Sequence, residues 1–239
     1  MHSPHSLSVV EHCRDCKWRE HGYFCDMPED LLKAFESLKY STVFPKGAML
    51  FLEGFSPRGI FMLCAGRVKL SSCSNEGKSL ITRIAEPGEI LGLSATISGK
   101  PYMATAETLA PCHVSFIKRQ DFLRLLSENN QACLRAAEQL SNNCYAANGQ
   151  ARSLGLSHSA AEKLARLILE WCAQYGKLDD RGIRLKLTLT HEEVAQLIGS
   201  SRETVTRLLS NFKSSHLIYV NGSTLIVRNK VALETMVGV

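Results

Sequence analysis

The sequence predicts an α+β protein built from an N-terminal antiparallel β-roll of the jelly-roll kind, one long helix and a C-terminal winged helix-turn-helix. Three observations carry this. Glycines recur at Gly47, Gly54, Gly59, Gly66, Gly77, Gly88 and Gly99, at intervals of 5 to 11 residues, with short apolar or alternating runs between them. That is the rhythm of antiparallel strands joined by tight turns. From 120 to about 154 there is no proline and a single glycine, and a helical period takes over. Beyond 190, two short amphipathic helical patterns meet at Gly199 and are followed by a hairpin signal.

The 239 residues are 45% apolar and 21% charged, a globular balance that excludes a wholly disordered chain. No apolar run approaches the roughly 18 residues of a membrane span; Ile60–Ala65 is among the longest. The leading Met1-His2-Ser3-Pro4-His5-Ser6 has neither a basic nor an apolar export region, so a cytosolic chain with reduced thiols is expected. The net charge of +5 is uneven. Residues 151–239 carry 12 Lys+Arg against 8 Asp+Glu, whereas residues 1–150 carry 16 against 15.

In chain order, the first segment, 1–27, is distinguished by its cysteines. Of nine in all, Cys13, Cys16 and Cys25 lie within 13 residues at a C-x2-C-x8-C spacing, in polar surroundings. Packing does not explain that density. Arg14, Lys17 and Arg19 favour the thiolate, the form that binds metal. Zinc held by the three thiolates with His12 or His21 is one reading. An iron–sulfur cluster with a fourth thiolate from elsewhere is the other. A thiol–disulfide enzyme using Cys13 and Cys16 would need a βαβ setting that the pattern lacks. Cys64 and Cys172, in apolar runs, read as small core residues.

The second segment, 28–120, is the β-roll, with strands expected at 49–52, 60–63, 68–70 and 81–84. The third, 121–155, is the long helix. Cys133, Ala137, Leu140, Cys144, Ala147, Ala151 and Leu154 follow a 4-3-4-3 spacing, a weak heptad seam suited to a dimer, although packing on its own roll would use the same pattern. The fourth segment, 156–239, opens with a helix at 159–175 and a strand at 183–189. Thr190 and Glu193 form a capping box for a helix that Gly199 ends. Ser200 or Ser201 caps the next helix, whose buried stripe is Val205, Leu208, Leu209 and Phe212. Arg202, Glu203, Thr206, Arg207 and Ser210 take its other face, and a hairpin turning at Asn221-Gly222 is the wing.

A short helix, a glycine turn and a second helix with Arg and Glu at its exposed start make a unit that reads double-stranded DNA. Arg202 and Arg207 can each reach guanine O6 and N7, and Glu203 can accept from cytosine N4. The expected half-site contains a G·C pair, inverted and repeated if the protein is a homodimer. A plain αα-hairpin would leave the positive charge of this segment unexplained.

The order of roll, long helix and winged helix-turn-helix, with Ser201-Arg202-Glu203-Thr204-Val205-Thr206-Arg207-Leu208-Leu209, resembles the family of the cyclic-AMP receptor protein and the anaerobic regulator FNR. Pro45-Lys46-Gly47 with Leu50-Phe51, and Pro87-Gly88-Glu89 with Gly92, resemble the turns of that family's cyclic-nucleotide-binding-like roll. The resemblance covers nearly the whole chain. It implies a homodimeric transcription regulator that works with RNA polymerase and is controlled by an effector acting through the long helix. The cyclic-AMP branch carries an Arg-Ser pair for the phosphate. Residues 98–105 lack it and offer only Lys100, so cyclic AMP is not the expected effector. The FNR branch carries three N-terminal cysteines and one in the roll after an Ala-x-Glu-Thr stretch. Ala106, Glu107 and Thr108 precede Cys112 here in a similar way. The resemblance therefore implies a [4Fe–4S] cluster on Cys13, Cys16, Cys25 and Cys112, destroyed by oxygen and open to nitric oxide. The branch usually has C-x2-C-x5-C, and the longer second gap, which contains His21, keeps zinc as the alternative. Glu203 and Arg207 are common to both branches, Arg202 resembles the cyclic-AMP branch, and Thr206 stands where FNR has Ser.

Overall fold

The structure, a computed structural model, describes residues 12–16, 18–19 and 22–238. His21, Lys17 and the leading residues weighed above for an export signal lie outside the described residues. The chain divides into two compact units, Met1–Ala147 and Asn148–Val239.

In the first unit a 3-10 turn at Cys13–Asp15 precedes helix α1, Glu29–Ser37. The sequence pattern does not predict a helix at this point. Leu31, Leu32 and Phe35 form its buried stripe, the usual mark of a helix laid on a core. The roll follows: β1 Tyr40–Phe44, β2 Met49–Phe51, β3 Gly59–Ala65, β4 Val68–Cys73, β5 Ser79–Ala85, β6 Ile90–Leu91, helix α2 Leu93–Ser98, β7 Thr105–Thr108 and β8 Cys112–Lys118. The strands form two four-stranded sheets, ordered β1-β8-β3-β6 and β2-β7-β4-β5. Their pairings are antiparallel.

Because side chains alternate along a strand, the first sheet serves two cores. Its inner face gives Leu63, Leu91, Cys112 and Val114 to the layer between the sheets, with Leu50, Val68, Ala85 and Ala106 from the second sheet. Its outer face gives Ile60, Met62, Ile90 and Ile117 to a second layer. Phe24, Cys25, Met27, α1 and the helices after the roll close that layer.

The single helix expected over the third segment is two helices, α3 Arg119–Glu128 and α4 Asn130–Leu156. Asn129 breaks it. Its backbone is extended, its side-chain amide donates to Leu125 O at 3.1 Å, and its carbonyl accepts from Cys133 N at 3.1 Å. One residue thus ends α3 and starts α4. α4 buries Ala132, Ala136 and Gln139. The seam residues Cys133, Ala137, Cys144, Ala147 and Ala151 are exposed, and Leu140 and Leu154 half-buried. Packing on its own roll therefore uses mainly a different face of α4 from the heptad seam, with Leu140 the seam residue that also packs against the roll's core.

The second unit comprises α5 Ala160–Tyr175, β9 Lys177–Asp179, β10 Gly182–Lys186, α6 His191–Ile198, α7 Arg202–Ser214, β11 Ile218–Asn221, β12 Thr224–Val227 and α8 Lys230–Met236. Its sheet runs β11-β12-β10-β9. β10 stops short of the strand expected to Leu189, because its partner β12 begins at Thr224, opposite Lys186. Leu187 then donates to the turn at Ser223 O, and Leu187 and Leu189 pack on the core as irregular chain. Among the described residues no helix is long and apolar enough to cross a membrane.

Candidate functional site

Two places carry chemistry. The first is the start of α7. Thr190 caps α6 in the expected capping box, and Gly199 ends that helix at φ 63°, where a side chain would be strained. Ser201 caps α7, its hydroxyl accepting from Thr204 N at 3.2 Å and donating to Thr204 Oγ1 at 3.1 Å. Val205, Leu209 and Phe212 anchor the helix in the core. The same period leaves Arg202, Glu203, Thr206, Arg207 and Ser210 on one exposed face. Arg207 makes no ion pair among the described residues, so its guanidinium is open to an incoming ligand. The Glu203 carboxyl is held below the usual carboxylate range by its own backbone amide and by the Ser201 hydroxyl, and stays ionised as an acceptor. Thr206 Oγ1 donates to Arg202 O at 2.9 Å and lies 2.8 Å from His191 Nδ1. That contact braces α7 against the start of α6, a role for His191 that sequence spacing does not reveal.

The second place is a group of cysteines. Cys13 and Cys25 share the outer layer of the roll with Cys64 of β3. Lys39, just before β1, donates to Cys13 Sγ at 2.7 Å, and Cys13 N donates to Glu36 at 2.9 Å. Burial, and after it the neighbouring sulfurs of Cys16, Cys13 and Cys64, push the Cys25 thiol up to about 12. Burial raises Cys64 as well, opposed by Ser115 and Lys39 and reinforced by Cys13 and Cys16. Burial alone would lower Lys39; its hydrogen bond to Cys13 and the nearby sulfurs raise it instead. Cys13, Cys16, Cys25 and Cys64 are thus electrostatic neighbours around one lysine. Among the described residues no three His, Cys, Asp or Glu side chains close to the spacing of one bound ion.

Gly22 seats this segment on the roll: a Cβ there would fall 2.8 Å from both Cys25 Sγ and the Gly88 backbone. Arg19 donates to the carbonyls of Cys25 and Met27, holding the chain after the third cysteine. Cys112 is elsewhere. It is fully buried on the inner face of β8, and its thiol donates to Ala110 O at 3.2 Å and Arg67 O at 3.3 Å. A Cβ on Gly66 would stand 2.5 Å from its sulfur. The structure therefore groups Cys13, Cys16 and Cys25 but does not bring Cys112 to them.

Residues 41–129 match the family model of the cyclic nucleotide-binding domain, and residues 162–236 that of the Crp-like helix-turn-helix domain. The chain is 24% identical over 202 residues to an anaerobic regulatory protein of Bacillus subtilis, spanning 84% of each chain. It is 24% identical over 231 residues to the transcriptional activator protein Anr of Pseudomonas protegens, covering 95% of this chain and 93% of that one. The chain belongs to the CRP/FNR family of transcription regulators. A solved structure of a CooA variant from Carboxydothermus hydrogenoformans shares its fold at a TM-score of 0.74 and 22% identity, covering 89% of this chain and 93% of that one.

In this CRP/FNR regulator the cysteine segment is fastened to the long helix. Asp26 pairs with Arg135 at 3.1 Å, and Arg135 also donates to the Asp26 carbonyl at 3.1 Å. Asn142 donates to the Tyr23 hydroxyl at 2.8 Å. These contacts stand two turns apart on α4 and flank Cys25 in sequence. A change in the cysteine segment thus has a direct mechanical route to α4. None of them is visible as a motif, since each joins residues more than a hundred positions apart.

Proposed function

We propose that this DNA-binding transcription regulator senses oxygen or redox state through an iron–sulfur cluster held by Cys13, Cys16 and Cys25 with a further thiolate from the roll. The observation that carries it is the cysteine group around Lys39, tied by Asp26–Arg135 and Tyr23–Asn142 to the long helix. The donor set suits the group: several sulfurs, a cation to favour thiolates, and apolar cover from Phe24, Met27 and Phe35. When bound there, a [4Fe–4S] cluster offers sulfur-ligated iron that oxygen or nitric oxide can attack. The protein's own part is mechanical. With its cysteines held, residues 22–27 stay seated on Gly88 and α4 keeps its position; with them released, Tyr23 and Asp26 let α4 go.

The exposed seam of α4 would meet its copy in a homodimer. Its small residues make a contact weak enough to be controlled from the cysteine side. The two copies of α7 would then read an inverted repeat, with Arg202 and Arg207 on guanine and Glu203 on cytosine, in the cytoplasm and in company with RNA polymerase. Cyclic AMP is not the effector in this reading. Lys100 supplies no guanidinium fork, and Tyr102 stacks on Phe51 at 4.0 Å with its hydroxyl bonded to Gly59 O.

Anaerobic purification tests the proposal. A brown protein with about four irons per chain, bleached by air with loss of operator binding, is expected. A colourless protein carrying stoichiometric zinc would refute it.

A further inference from the structure

We propose that Cys64 of β3 is the fourth thiolate that stands with Cys13, Cys16 and Cys25, in place of Cys112. The assignment rests on the cluster reading above and adds to it the identity of the ligand from the roll.

Strand alternation is the first ground. On β3, Ile60, Met62 and Cys64 point to the outer layer, where Phe24, Cys25 and Cys13 also pack. On β8, Cys112 and Val114 point to the inner layer between the sheets. The two cysteines are on strands that pair directly, yet they face opposite sides of one sheet. For Cys112 to join the trio, β8 would have to slip by one residue, which would send Val114 outward and Ser115 into the inner core.

The second ground is how each sulfur is held. Cys112 already donates to two carbonyls and is wedged beneath Gly66. Cys64 is only half-buried, and its nearest polar contacts are weak, Ser115 Oγ at 3.5 Å and Met62 O at 3.8 Å. It is therefore free to turn towards a ligand. The third ground is independent of the cysteines. His113, 3% exposed, lies on the outer face of β8, opposite Ala65 of β3 and within the electrostatic reach of Lys39. Its Nε2 has no hydrogen-bond partner among the described residues. A buried imidazole nitrogen left without a partner calls for a group beyond the described residues. Lying on the face of the sheet that carries Cys64, it would be available as an outer hydrogen-bond partner for a group held by these thiolates.

The test compares the anaerobically loaded wild type with Cys64→Ala and Cys112→Ala, reading iron per chain and visible absorbance, with circular dichroism as the check on folding. The expected result is loss of the cluster in Cys64→Ala and its retention in Cys112→Ala. Retention in Cys64→Ala would overturn the assignment. Should Cys64→Ala fail to fold, alkylation of the wild type before and after anaerobic removal of iron decides instead. Cys64 should change from protected to labelled while Cys112 stays protected in both forms. Unchanged labelling of Cys64, or a change at Cys112 alone, overturns it. A wild-type chain that takes up no iron removes the cluster reading itself, and this assignment with it.

Discussion

One buried amide ties α4 directly to the edge of the roll. β6 is an edge strand of only two residues, paired to β3 through Phe61↔Leu91 and Met62↔Ile90. On the other side, Ile90 N donates to Gln139 Oε1 at 3.0 Å, and Gln139 Nε2 donates to Ile90 O at 2.6 Å. Gln139 is fully buried and stands where a neighbouring strand would be. Replacing it by Leu keeps a similar volume, so the cavity contribution is small. The Ile90 amide and carbonyl, however, lose their partners in a place that water does not reach. At about 1–3 kcal/mol for each unsatisfied group, the cost is about 2–6 kcal/mol. Against a typical total of about 5–15 kcal/mol, that is a large share. Urea unfolding followed by Trp18 fluorescence in a Trp171→Phe background reads the first unit alone, since Trp18 and Trp171 are the two tryptophans. Gln139→Leu should shift the midpoint strongly downward, and operator binding should weaken with it. A change below about 0.5 kcal/mol, the size of an ordinary surface substitution, would refute the view that Gln139 completes the sheet edge.

Three further outcomes follow from the same geometry. Arg207→Ala should weaken a specific operator by about 1–3 kcal/mol in a gel-shift titration with little change in thermal stability, because Arg207 is exposed and unpaired. Asp26→Ala should cost less than about 1 kcal/mol of stability, as expected for a partly exposed ion pair. Even so, it should make dimerisation, read by sedimentation, less responsive to air. In the metal-free chain, stability should fall as pH rises from 9 towards 12. Below 9 the Cys25 thiol is protonated in both states; between 9 and 12 the unfolded chain releases that proton while the folded chain, with its thiol pushed up to about 12, retains it. Denaturation midpoints across that range, in wild type and Cys25→Ser, check this, and the variant should show a flatter profile.

The helix-turn-helix was legible in the sequence because its determinants are local. A capping box spans four residues, a glycine break needs one, and the face of α7 follows from a period of 3.6, so Arg202, Glu203 and Arg207 could be named without coordinates. The β-roll was legible from its turn glycines, but α1 was masked by its shortness, and the break at Asn129 by a periodicity that runs on through it.

The cysteines divide along the same line. The cluster of Cys13, Cys16 and Cys25 stands out by density alone, because a C-x2-C pair acts within one turn. Sequence could also have shown that Cys64 shares a strand face with Met62, but not which layer that face looks into. That is decided by how β3 pairs with β8 and by where residues 22–27 dock, through Gly22 on Gly88 and Asp26 on Arg135. By itself, then, the sequence determined the helix-turn-helix, the turn rhythm of the roll, the exposed polar face of α7 and the existence of a thiol-rich segment, all products of short-range pattern. Only the tertiary structure decided that this segment meets Cys64 and Lys39 rather than Cys112. That choice depends on which side of a sheet is covered by chain distant in sequence.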